Sequence, residues 1–137
     1  MGLTTAWKQK LVKFIADGVD PLTGITTLYL SLHTADPGAA GTQSTSEATY
    51  AGYARVSILR NISDWDDYST NGVFNAILKT FATNAGSAQI VTFFGMGTGA
   101  TGAGNLILTG SINSPTGKNV APGDAPSFQI NDLKIVG

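Results

Sequence analysis

The chain contains no cysteine, so no disulfide framework staples it and no thiolate serves as nucleophile or metal ligand. That absence fits a protein made in a reducing cytoplasm. Charge is scarce as well: Asp, Glu, Lys and Arg make up 12% of the residues, about half the usual share. A net charge of −1 excludes the broad basic footprint of a nucleic-acid binder, and the cluster Lys8, Lys10 and Lys13 is too small to restore it. No apolar run is long enough to span a bilayer, and the first residues lack the apolar stretch and cleavage site of a signal peptide. No internal repeat is present, which disfavours a solenoid or a fibrous shaft. Neither nucleic acid nor a membrane is an expected partner, and no cofactor is expected.

What is present is one ordinary domain's worth of chain, 137 residues rich in glycine, threonine, serine, alanine and asparagine. A surface of uncharged polar groups suits close packing. Residues 5–16 place Trp7, Leu11, Phe14 and Ile15 on one face at helical spacing, with Lys8, Lys10 and Lys13 largely opposite. Thr4 or Thr5 can cap the start, Gly18 can close the end in the left-handed conformation, and Asp20-Pro21 prevents continuation. The apolar face of this helix either docks on the body of the protein or packs into a neighbouring subunit. A helix and its cap over 1–20 thus precede a single β domain over 21–137.

From residue 26 onward the pattern is β. Leu28, Leu30 and Leu32 share one side of a strand and Tyr29, Ser31 and His33 the other. Asp36-Pro37-Gly38 then reverses the chain, because proline pre-sets φ at the second turn position and glycine accepts positive φ at the third. The expected strands are 26–33, 54–60, 72–81, 88–95, 105–111 and 127–136, with a bulge near Asn131-Asp132 to keep the last run on one face. With no second helical period to make a parallel crossover, this is a mainly β, antiparallel sandwich with one short N-terminal amphipathic helix. The connection 34–50 has no periodicity, and loops of that length are commonly functional. It reads as an exposed loop that a partner orders.

Catalytic constellations do not assemble. A hydrolase triad would need His33, the sole histidine, with Ser31 or a distant serine as nucleophile, yet an imidazole at a strand end serves equally well to hold backbone groups. Gly97-Thr98-Gly99-Ala100-Thr101-Gly102 matches a dinucleotide fingerprint literally, but a strand, not a helix, follows it, so these glycines read as a flexible hairpin loop. Asp64, Asp66 and Asp67, near Asn61 and Asn71, could hold a hard cation, although their spacing fits no EF-hand loop. The alternative is a solvated acidic turn with Trp65 and Tyr68 as its buried members. Binding, and not catalysis, is the function that survives.

Five motifs can then be read in order: Leu28-Tyr29-Leu30-Ser31-Leu32-His33-Thr34-Ala35-Asp36-Pro37-Gly38, Gly52-Tyr53-Ala54-Arg55, Val91-Thr92-Phe93-Phe94-Gly95-Met96, Gly104-Asn105-Leu106-Ile107-Leu108-Thr109-Gly110 and Pro122-Gly123-Asp124-Ala125-Pro126-Ser127-Phe128. Together they resemble a family of small tailed-bacteriophage virion proteins, labelled tail fibre proteins or capsid decoration proteins, over nearly the whole chain. The resemblance implies a structural component of the virion with a β-sandwich related to the jelly roll. The first expectation is a capsid decoration (cement) protein, a homotrimer bound outside the major capsid protein lattice and stabilising it by linkage. The alternatives are a tail fibre or baseplate component bound to tail proteins, and a small carbohydrate-binding module using Trp65, Tyr68, Tyr50 and Tyr53 as a platform. Exposed aromatics and loops nominate the contacts: Trp7, Leu11 and Phe14 on the helix, Thr34, Asp36, Gln43 and Tyr50 in the long connection, and Trp65 with Tyr68.

Overall fold

The computed structural model describes residues 2–69 and 72–136, except the side chains of residues 67–69 and 136. In chain order its elements are β1 (Gly2–Leu3), α1 (Thr5–Asp17), β2 (Thr27–His33), β3 (Val56–Leu59), β4 (Trp65–Ser69), β5 (Gly72–Asn75), β6 (Lys79–Thr80), β7 (Gln89–Val91), β8 (Phe93–Gly97), β9 (Leu106–Ser111), β10 (Lys118–Val120), β11 (Ser127–Phe128) and β12 (Lys134–Val136). Every strand pairing among the described residues is antiparallel. The main sheet runs β1-β9-β8-β2-β3, and three short sheets pair β10 with β7, β11 with β6, and β12 with β5 and β4. The protein is mainly β with one N-terminal helix, and the arrangement is compatible with a jelly-roll-like sandwich.

Register explains the core. Leu30 stands opposite Met96, Leu32 opposite Phe94, and Leu28 opposite Ile58, so one face of the main sheet is a continuous apolar surface. Phe81, Val91, Val120 and Leu133 from the facing segments are buried in the same cluster, with Trp65, Phe128 and Ile135 packed at its margin. Phe128 sits edge-on to both Phe81 and Phe94, with ring centroids 6.1 and 5.3 Å apart, an arrangement favoured by the ring quadrupole.

Several expected runs divide. The 72–81 run splits where Asn75 turns its wholly buried amide to bond the carbonyls of Ile77 and Gln129. The 127–136 run contains no bulge but a turn: Asn131 adopts φ 74, the Asp132 carboxylate accepts the Gln129 N–H, and the two halves enter different sheets. Three strands escaped the sequence pattern: β1, β4 and β10, of two, five and three residues. Two or three residues are too few to show a period, and Trp65-Asp66-Asp67-Tyr68-Ser69 does not alternate, which is why it reads as an acidic turn.

The helix ends as expected at Gly18, φ 70, whose N–H bonds the Phe14 carbonyl. Its start differs. Thr4 makes no side-chain cap, because its hydroxyl donates to the Leu106 carbonyl at 2.8 Å and ties the first turn to β9.

Candidate interaction surface

Sequence reasoning took the 34–50 connection for an exposed loop awaiting a partner. The structure corrects this: the protein orders it by itself. It folds back over the second face of the main sheet, where Thr34 N–H bonds Ser46 O at 2.8 Å and Ala48 N–H bonds Leu32 O at 2.8 Å. Beneath it, His33 is wholly buried. Its Nδ1 lies 2.8 Å from the Thr45 carbonyl, which can only accept, so Nδ1 carries the proton and Nε2 accepts from the Ser31 hydroxyl at 2.8 Å. Burial lowers the His33 pKa against the opposing pull of the Thr45 bond and Glu47, so the ring is neutral. Ser31 and His33 have the geometry of a nucleophile and its base, but both have no exposure and hence no route to a substrate.

Beside the histidine lies an ionic clamp. Arg55 grips the Glu47 carboxylate with two bonds of 2.7 Å and donates to the carbonyls of Gly99 and Gly102. Tyr53 accepts the Leu32 N–H and donates to Glu47 at 2.8 Å; burial pushes its phenol far above the ordinary range. The Glu47 hydrogen bonds raise the Arg55 pKa in turn. Sequence reasoning passed over this pair, though Glu47 and Arg55 are the only acid and the only base between residues 37 and 59.

Gln43 completes the lock. Its side-chain carbonyl accepts the Gly99 N–H at 2.8 Å, its backbone N–H bonds Ala103 O, and a Cβ on Gly97 or Gly104 would overlap its amide. The 97–102 glycine motif is therefore a cradle for one glutamine. It is a clamped hairpin loop, not a flexible one.

The nominated contact residues separate sharply. Trp7, Gln43 and Tyr50 are buried within the chain, so the expectation that they lie exposed is corrected. Trp7 fills the core, and Tyr50 donates to Ala82 O while meeting Tyr53 edge-on. Thr34 is half-buried and donates to Ser46 O; Asp36 is exposed and accepts the Gly38 N–H of its turn, where φ is 76. Trp65 is half-buried, and the side chain of Tyr68 lies outside the described residues. Tyr50 is in the core and Tyr53, half-buried, packs against it, so these two rings are not laid open as a carbohydrate-binding platform would require.

Asp64 is buried, not solvated. Lys79 bonds its carboxylate at 2.8 Å and the Leu59 N–H bonds it at 2.8 Å. Burial alone would raise its pKa, but these partners hold it below the ordinary value. No cluster of metal-ligating side chains exists among the described residues, while Asn71 and the Asp67 side chain lie outside them.

Single exposed apolar side chains such as Ile62, Ile90 and Ile130 are spread over the body, but the helix carries a run of them. Only Trp7 docks, while Leu11 (45%), Val12 (64%), Phe14 (44%) and Ile15 (77%) remain open to solvent, as does Val19 (62%) just beyond the helix. Large exposed apolar side chains grouped on one element mark an interaction site. Elsewhere, an open cleft of about 720 Å³ lies between the main sheet and β4, β5 and β12, with Leu28, Trp65, Val73, Met96 and Ile135 along it and Arg60 and Asp66 among its polar lining. A second cleft of about 390 Å³ adjoins the Phe81, Phe94 and Phe128 rings and includes Lys118 and Asp132.

Comparison with known families places this firmly self-locked β body and its exposed apolar helix in a class: the structural proteins of the tailed-phage virion. Residues 2–136 match the family described as podophage GP4 fiber I protein gp80, and the chain belongs to that family. No curated protein matches the chain.

Proposed function

We propose that this protein is a tail fibre component of a podophage, bound to other tail proteins, and not a capsid decoration protein. The observation that carries this reading is the family match over 2–136, whose description names a fibre protein. It favours the tail alternative over the decoration role first expected from the sequence. The fold supports a mechanical part: buried amides and an ionic clamp pin its loops, and its only histidine is sealed from solvent. The role is structural and not enzymatic. A homotrimer belongs to this reading, and sedimentation of the purified chain at several concentrations tests it.

The decisive experiment is cryo-electron microscopy of particles carrying a labelled copy of the chain. Label confined to the tail is the expected result. Label distributed over the capsid lattice would return the decoration reading to first place.

A further inference from the structure

The exposed apolar stripe of α1 is continuous with a residue the protein has already buried. Trp7 sits in the core, and one turn on, the same face carries Leu11, then Phe14 and Ile15, with Val19 past the C-cap. The spacing 7, 11, 14 and 15 is that of side chains anchoring a helix in a groove. Thr4, bonded to Leu106 O, and Thr5, whose N–H bonds Ala39 O, hold the first turn rigidly, so the stripe projects from a fixed base.

Charge says what covers it. The helix bears three lysines and one aspartate, leaving five basic and eight acidic residues to the rest of the chain. Lys8, three and seven residues before Leu11 and Ile15, borders the stripe on one side and Lys10, over the Trp7 ring at 4.5 Å, on the other, while Lys13 lies on the opposite face and pairs with Asp17 at 3.7 Å. A groove that accepts the stripe meets Lys8 and Lys10 at its rim, and a carboxylate rim complements them. The two clefts described above offer no such rim, since Arg60 accompanies Asp66 in one and Lys118 accompanies Asp132 in the other, and the hollow beside the first turn of α1, lined by Thr4, Gln9, Ala39 and Asn105, carries no carboxylate. Nor is helix-on-helix pairing of two copies sufficient: a stripe about 20 Å long and about 10 Å wide falls well short of the ~800 Å² per partner of a stable interface.

We infer that α1 is the plug by which this protein is seated in the virion, its Leu11, Phe14 and Ile15 face entering an apolar, acid-rimmed groove of a different structural protein. This rests on the virion role proposed above. The test complements a phage lacking this chain with wild type, with Leu11→Gln/Phe14→Gln, or with Lys8→Glu, and quantifies the chain in purified particles. All substituted side chains are exposed, so the purified variants should keep the wild-type denaturation midpoint. Expected are normal incorporation of wild type and at least a tenfold loss for each variant. Equal incorporation of the Leu11/Phe14 variant would overturn the plug, and undiminished incorporation of the lysine variant would overturn the acidic rim. Loss of wild-type self-association in the Leu11/Phe14 variant by sedimentation would assign the stripe to a second copy. Binding of wild type, but not of that variant, to anionic phosphatidylglycerol vesicles would assign it to a lipid surface. Either result overturns the inference while leaving the virion role intact, whereas absence of wild type from particles would sink the virion role itself.

Discussion

At the level of single residues, stability rests on polar groups that the chain buries and satisfies. Among the described residues no buried side-chain nitrogen or oxygen lacks a partner. Truncating one member should therefore be costly. Gln43→Ala strands the Gly99 N–H and should lose about 1–3 kcal/mol of unfolding free energy, while Arg55→Ala, which leaves the Glu47 carboxylate unpaired, should lose about 3–5 kcal/mol; urea denaturation reads both. Gly104→Ala should also destabilise, because φ is 53 there and the new Cβ would overlap the Gln43 amide. His33 gives a pH signature. Its folded pKa lies below the ordinary 6.5, so the unfolded chain takes up the proton first as pH falls. Its contribution should therefore fall as pH drops from about 6.5 to the folded pKa and be constant above 6.5. It is the only histidine, so His33→Gln should abolish the slope in that window; a slope unchanged in that variant would mean another group is responsible. Asp64 acts in a separate window: its folded pKa is depressed, so its contribution is present above 3.8 and is lost only as pH falls below that.

At the scale of elements, α1 should behave as two unlike halves. Trp7→Ala removes a core aromatic and should cost about 3–5 kcal/mol, whereas Leu11→Gln, at a side chain 45% exposed, should shift stability by no more than about 0.5 kcal/mol. Equal losses would show that the whole helix packs on the body. The same helix shows what the sequence could reveal. Its period, its Gly18 terminator and the Leu28, Leu30 and Leu32 face of β2 were legible because each repeats over enough residues to define a side. How far the apolar face would dock was not, since Trp7 and Leu11 differ only in what lies opposite them. Tertiary context also decided the 34–50 connection. Ser, Thr and Gly composition reads as a loop, and nothing local to Gln43 announces that three glycines more than 50 residues away leave room for its amide. The alternation of β2 likewise predicted one buried and one open face, yet Ser31 and His33 are as buried as the leucines because this connection covers them.

For the molecule as a whole, these links imply one cooperative body with one loosely held appendage. The 34–50 connection bonds β2 through Thr45 and Ala48, the β8–β9 loop through Gln43, and Gln89 of β7, whose side-chain carbonyl accepts the N–H groups of Thr49 and Tyr50. Opening it alone would strand buried donors and acceptors on several elements at once, so its local opening free energy should approach the global value. Beyond its first turn α1 has no such ties, because its amides depend on intrahelical bonds over four exposed apolar side chains. Amide hydrogen exchange of the free protein should therefore show slow exchange at Thr34, Gln43 and Ala48 and fast exchange from Leu11 to Asp17. Incorporation into the particle should slow the helix amides and change those of the 34–50 connection little, because burial of the apolar stripe would hold the helix closed while the body is already locked. Protection appearing instead in the connection, with the helix still exchanging fast, would mean that the strapped face, and not α1, meets the rest of the virion.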